Sequence, residues 1–268
     1  MDKTDENLNI NSPIGVFDSG VGGLTVMKEI RNILPNESVI YVGDTKNVPY
    51  GNKTPEELLA FAHEIMAFFI SKKVKAVVIA CGTSSANVYH KLDYGGLPII
   101  DVIRPVAEKM AAEAGAGKNI GLLATPATIK NGLFERLLAE SMPHATIHPI
   151  PCPLFAPMIE AGLGPDHPGV HFAVDAYLGE YKDRLDTIVL GCTHYPYLIP
   201  ALGKLGDYEF INIGQATGEK LKAALAGLGL LSDKENPTQD FYVTGPREVF
   251  KTIGAKILGH GIALKNFA

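Results

Sequence analysis

Short, nearly uninterrupted apolar runs recur along the chain, separated by stretches with helical spacing, and this alternation restricts the fold more than any other feature. The runs are Ile14–Asp18, Ser38–Gly43, Ala76–Ala80, Pro98–Val102, Asn119–Ala124, Thr187–Leu190 and Tyr208–Ile211. A strand that is apolar at consecutive positions, rather than at every second one, buries both of its faces. That pattern belongs to parallel sheets covered by helices on each side. The intervening stretches suit helices: Leu24–Leu34 is periodic, and Thr54, Pro55 and Glu57 combine an N-cap, a first-turn proline and a capping box. Beyond them Leu58, Phe61, Ala62, Ile65, Phe68 and Phe69 fall on one helical face, which predicts a core contact. The Pro-rich segment Pro149–Pro157 reads as irregular, and the chain beyond Gly214 as a final helical region. The expected fold class is α/β.

Two runs match each other. Val77-Val78-Ile79-Ala80-Cys81 and Ile188-Val189-Leu190-Gly191-Cys192 are both buried-type strands ending in a small residue and a cysteine. Ligands of open α/β sheets bind at the carboxyl ends of strands. The expectation is two pseudo-symmetric domains with largely parallel sheets and flanking helices, and an active site in the cleft between them. Residues 14–104 plus 215–268 would carry Asp18 and Cys81; residues 105–214 would carry Glu160, Cys192 and His194. A length of 268 residues suits two modest domains or one large unit.

Composition narrows the function classes. With 46% hydrophobic and 20% charged residues the chain is globular rather than disordered. A formal net charge of −5 and the lack of a Lys/Arg run argue against nucleic acid or an anionic membrane as partner, and favour a small solute. The start, MDKTDENLNINSP, has neither the basic region nor the apolar region of a signal peptide, and no apolar run is long enough to span a bilayer. A cytoplasmic protein is expected. Cys81, Cys152 and Cys192 are too few and too widely spaced for a disulfide framework or a C-x-x-C metal pair, so they read as free thiols.

A lone cysteine at a strand end is more often inert core than reagent. The neighbours here add hydroxyls, backbone N–H groups and an imidazole: Cys81-Gly82-Thr83-Ser84-Ser85 and Cys192-Thr193-His194-Tyr195-Pro196. A helix start after Cys81 would favour an anion and lower the thiol pKa. Each candidate keeps a plainer reading. Asp18 could cap the following turn, His194 could be structural, Glu160 could be a solvated helix residue, and Cys152 reads as core filler. The glycines of Asp18-Ser19-Gly20-Val21-Gly22-Gly23 lack the G-x-G-x-x-G register of a dinucleotide site.

Four ordered motifs resemble the glutamate racemases of the aspartate/glutamate racemase superfamily. They are Val16-Phe17-Asp18-Ser19-Gly20-Val21-Gly22-Gly23-Leu24-Thr25-Val26, Gly43-Asp44-Thr45 with Val48-Pro49-Tyr50-Gly51, Ala80-Cys81, and Leu190-Gly191-Cys192-Thr193-His194-Tyr195-Pro196. The resemblance implies a racemase that needs no cofactor and no metal, with Cys81 and Cys192 as acid and base on opposite faces of one carbon. Asp18 would assist Cys81; His194 and Glu160 would assist Cys192. Substrate contacts are implied at Asp18, Ser19, Tyr50, Gly51, Gly82, Thr83, Thr193 and His194, with Thr125 and Thr128 lining the same cleft. The family supplies D-glutamate for peptidoglycan and is commonly homodimeric.

Two positions depart from the family pattern. Gly82 stands where the family has Asn, and Ile211-Asn212-Ile213-Gly214 where it more often has Asp-Ser-Gly. The loss of an amide beside Cys81 leaves open a superfamily racemase acting on aspartate or another acidic substrate. Readings from other classes are a zinc protein using Cys81, Cys192 and His194, for which no fourth ligand is visible, and a non-catalytic binding module.

Overall fold

A computed structural model describes residues 9–113 and 117–267, so most of the polar N-terminal arm, residues 1–8, lies outside the described residues. The strands in chain order are β1 (Ile14–Asp18), β2 (Val39–Gly43), β3 (Ala76–Ile79), β4 (Ile99–Asp101), β5 (Asn119–Ala124), β6 (Thr146–Pro151), β7 (Thr187–Leu190), β8 (Glu209–Asn212), β9 (Gln239–Val243) and β10 (Leu264–Asn266). The helices are α1 (Leu24–Ile33), α2 (Pro55–Ser71), α3 (Gly82–Val88), α4 (Arg104–Glu113), α5 (Pro126–Asn131), α6 (Leu133–Ser141), α7 (Phe155–Glu160), α8 (Pro168–Leu178), α9 (Ile199–Leu202), α10 (Ile213–Gly227) and α11 (Glu248–Leu258). None of the described helices is long and apolar enough to cross a membrane.

The strands form two sheets, ordered β10-β9-β2-β1-β3-β4 and β6-β5-β7-β8, with every pairing parallel. The order β2-β1-β3-β4 in the first is repeated as β6-β5-β7-β8 in the second. Cys81 follows β3 and Cys192 follows β7, so the thiols occupy equivalent places in two copies of one topology. In each copy the chain reverses direction across the sheet beside the first strand. Such a switch point opens a crevice at the strands' carboxyl ends.

The continuous apolar runs have the expected cause. Ile14 and Val16 of β1 face one buried cluster together with α1, while Phe17 faces another with Phe69 and Leu58 of α2. α2 begins as its sequence predicts: Thr54 accepts from Glu57 N–H, and the Glu57 carboxylate accepts from Thr54 N–H at 2.8 Å. At the end of the first sheet opposite the cysteine, Lys75 is fully buried with all three of its donors matched. It reaches Glu37 Oε2 and Ile10 O at 2.6 Å and Leu230 O at 2.7 Å, tying three segments to the foot of the sheet.

Two expectations need correction. The segment read as irregular begins inside β6, which carries Pro149 and Pro151. β6 is an edge strand, and the N–H groups of Thr146 and Cys152 bond to Lys118 O and Ala124 O. By the two-residue alternation of a strand, the nitrogens of Pro149 and Pro151 point away from the sheet, where no donor is needed. The region read as wholly helical beyond Gly214 instead returns to the first sheet as β9 and β10, with α11 between them. Only Phe241-Tyr242-Val243 is apolar in β9, after polar Gln239 and Asp240, and that run is too short to stand out.

Candidate active site

Between the carboxyl ends of the two sheets lies a cavity of about 180 Å³. Cys81, Gly82 and Thr83 enter it from the end of β3, and Gly191, Cys192, Thr193 and His194 from the end of β7. Ser19 comes from the end of β1, Tyr50 and Gly51 from a short 3-10 turn, Thr125 and Thr128 from the start of α5, and Glu160 from α7. Thus the predicted candidates converge, apart from Asp18, which lies just behind the lining and is completely buried. Cys152 is buried outside the lining, its thiol directed at Ile150 O, and fills core as expected.

The cavity wall is mainly apolar, with polar groups at a few places and no strong positive charge. Among the described lining residues none is Lys or Arg. Hydroxyls take their place: Thr125 Oγ1 lies 3.1 Å from Thr83 Oγ1 and 3.0 Å from Thr128 Oγ1. This cluster joins the two halves and offers hydrogens to a carboxylate. Tyr50 is less available, because its hydroxyl donates to Asp44 Oδ2 at 2.6 Å.

Behind Cys192 stands a relay. His194 Nδ1 is 3.7 Å from Cys192 Sγ, and His194 Nε2 is 2.7 Å from Glu160 Oε1, which also accepts from Val21 N–H at 3.2 Å. Burial works against a charged imidazole, but the contacts with Cys192 and Glu160 outweigh it and lift the His194 pKa well above its ordinary 6.5. For Glu160 burial raises and His194 lowers, and the net shift is downward. The solvated alternative for Glu160 is thereby replaced by a partly buried partnership with His194.

Among the described residues, none forms such a relay with Cys81. Burial and the nearby Asp18 charge push its thiol up to about 12, against the lowering pull of Ser84. The expectation that a helix start would lower this thiol is therefore corrected, since burial and the Asp18 charge prevail. Asp18 is itself raised by burial, partly offset by His194 and by N–H donors. Its Oδ2 accepts from Gly20 N–H at 3.2 Å and Gly23 N–H at 2.9 Å, and its Oδ1 accepts from the Thr193 hydroxyl at 3.3 Å. Asp18 therefore caps the turn and reaches the site through the Thr193 hydroxyl.

The glycines of that turn serve the opposite half. A Cβ on Gly20 would collide with Glu160, and one on Gly22 with His194 and Thr193. The Gly82 departure has a similar cause, for a Cβ there would lie 2.6 Å from Gly191 O. The two cysteine turns approach backbone to backbone, which leaves no room for an Asn in this arrangement. At the other departure, Asn212 accepts from Gly214 N–H at 2.9 Å and caps α10, outside the cavity. Sequence reading overlooked Asn52, Pro153 and Pro157 in the lining; the prolines belong to the segment that it read as irregular. No group of three or more His, Cys, Asp or Glu among the described residues is placed to hold a metal ion.

Comparison with known proteins agrees with this geometry. Residues 14–221 match the profile of the Asp/Glu/Hydantoin racemase family. A glutamate racemase of Neisseria meningitidis is 38% identical over 259 residues, covering 95% of each chain. The crystal structure of glutamate racemase from Francisella tularensis in complex with D-glutamate superposes with a TM-score of 0.88 at 34% identity, over 97% of this chain and 98% of that one. A glutamate racemase isoform of Bacillus anthracis gives 0.90 at 35% identity, with the same coverage. The chain belongs to the Asp/Glu/Hydantoin racemase family, at the level of similarity of its glutamate racemases, and is an amino acid racemase, an isomerase.

Proposed function

We propose that this racemase interconverts L- and D-glutamate without a cofactor, passing protons through Cys81 and Cys192, and that it supplies D-glutamate for peptidoglycan from the cytoplasm. The observation that carries the reading is the pair of thiols at equivalent strand ends on one cavity. In the D-to-L direction the Cys81 thiolate takes the α-proton, so that a C–H bond breaks and an S–H bond forms. Cys192 then gives its S–H proton to the opposite face of the carbanion, and the roles exchange in reverse. Hydroxyls of Ser19 and Thr83 and the N–H of Gly82 bind the substrate carboxylate and take up part of the charge that moves onto it, while the Thr193 hydroxyl is held by Asp18. Glu160 and His194 hold Cys192 ready, while Asp18 serves Cys81. Each of the units 14–104 with 215–268 and 105–214 contributes one thiol, which supports a site shared between two domains.

The test is isotopic. Purified protein in deuterated water, with no added cofactor, is given single enantiomers of glutamate, aspartate and other acidic amino acids. Glutamate is expected to exchange its α-proton and lose its optical rotation. Retained rotation in a folded, reduced sample overturns racemisation of glutamate, and faster loss with aspartate reassigns the substrate.

A further inference from the structure

Three consecutive hydroxyls follow Cys81, and two of them are committed. Thr83 Oγ1 joins the threonine cluster at Thr125. Ser85 Oγ donates to Ile79 O at 3.1 Å and accepts from Val102 N–H at 3.3 Å. Ser84 Oγ, by contrast, is completely buried and has no hydrogen bond of good geometry among the described residues, although it lies close enough to Cys81 to pull that thiol down. A buried hydroxyl without a partner is rare enough to need a cause.

Its position in the helix supplies one. Cys81 is the N-cap of α3 and Ser84 is the third residue of the first turn. These are the positions that Thr54 and Glu57 hold in the capping box of α2, where side chain and backbone reach each other reciprocally. At α3 the cap atom is sulfur. A neutral thiol accepts a hydrogen bond poorly, whereas a thiolate accepts one strongly. An unpartnered Ser84 hydroxyl is what a protonated sulfur at the cap would leave.

The tyrosines nearby are committed elsewhere, and the nearby acids oppose a charge on the sulfur. Tyr41 donates its hydroxyl to Gly20 O at 2.8 Å, and Tyr50 donates to Asp44. Asp18 and Cys192 are acids whose negative forms oppose a second negative charge, and both push the Cys81 thiol up. His194 is turned to Cys192 and Glu160. The Ser84 hydroxyl and its backbone N–H are the groups that pull the other way.

We infer that Ser84 is a positioning residue that holds the Cys81 sulfur in its ionised form, its hydroxyl donating to the sulfur once the thiol proton has left. The inference rests on the two-thiol reading for its part in turnover, but its test does not need turnover. Iodoacetamide reacts with thiolate, and peptide mass spectrometry resolves Cys81 from Cys152 and Cys192 in the full-length enzyme. Below the thiol pKa the alkylation rate follows the thiolate fraction, and a hydrogen bond to an anion shifts a pKa by about one unit, or about tenfold in rate. Ser84→Ala is expected to slow Cys81 alkylation about tenfold between pH 7 and 9 and to leave Cys192 unchanged. Ser84→Thr, which keeps the hydroxyl, is expected to stay within about threefold of the parent by the same scale. An unchanged Cys81 rate in folded Ser84→Ala, or equal slowing in both variants, overturns the assignment. Failure of the two-thiol reading would show separately, as racemisation surviving Cys81→Ser.

Discussion

The ends of β3 and β7 are topological equivalents that carry the same residue and support it differently. Cys192 is backed by a charged imidazole and a carboxylate that line the same cavity. Cys81 is backed by a buried acid whose oxygens are already taken by the glycine turn and by Thr193. The difference arises because the supporting groups come from elsewhere. Glu160 belongs to α7, which follows an edge strand in the second half, while the corresponding strand of the first half has β9 beside it. Repeated topology fixes where a strand ends, and its neighbours decide what surrounds the end.

The largest effect expected is also the sharpest check on equivalence. Cys81→Ser and Cys192→Ser should each lower racemisation by about 10²–10⁴, the range for loss of a positioned acid or base. Polarimetry of both variants with both enantiomers measures it. Half of the parent rate in either variant would break the pairing of the two ends.

A smaller effect separates them. Glu160→Gln should destabilise the protein because it leaves the His194 charge buried without its counter-ion. Glu160 keeps 19% of its side chain exposed, so the loss belongs at the low end of the ~3–5 kcal/mol typical of a broken buried pair. Its pH dependence has a defined sign. The raised His194 contributes fully below 6.5 and loses its contribution as pH rises through its folded value, while the lowered Glu160 contributes fully above 4.5 and loses it as pH falls through its own. Thermal melts of parent and variant should therefore differ most between pH 4.5 and 6.5 and converge on either side. A gap that is constant with pH would mean that packing, not charge, joins these side chains.

The smallest effect concerns the third thiol. Cys152→Ala should leave racemisation unchanged and cost about 1 kcal/mol or less in denaturant unfolding, since a buried cysteine behaves as a small apolar group. Lost activity at normal stability would place Cys152 in the chemistry.

Much of this arrangement was legible in the chain. Parallel strands announce themselves by being apolar on both faces, and the α2 cap is local enough to be read from Thr54, Pro55 and Glu57. The cysteines and their neighbours were found because a rigid strand end delivers adjacent residues to one place. What escaped is non-local or conditional. Pro149 and Pro151 are tolerated only because β6 is an edge, and β9 is a strand because β2 waits to pair with it. Gly20 and Gly22 read as turn residues, yet they are small because Glu160 and His194 occupy the space beside them. Ser84 resembles its hydroxyl neighbours in sequence and differs from them only in lacking a partner.

The repeated strand order has a consequence for reaction rates. Two copies of one topology are related by rotation, and no rotation turns an L-protein into its mirror image, so the two thiols cannot present mirror-image chemistry to mirror-image substrates. The enantiomers have equal free energies in water, however, and thermodynamics then requires equal kcat/KM in the two directions. Any inequality between an end served by Asp18 and one served by His194 and Glu160 must appear as a compensated exchange: the direction with the higher kcat also has the higher KM.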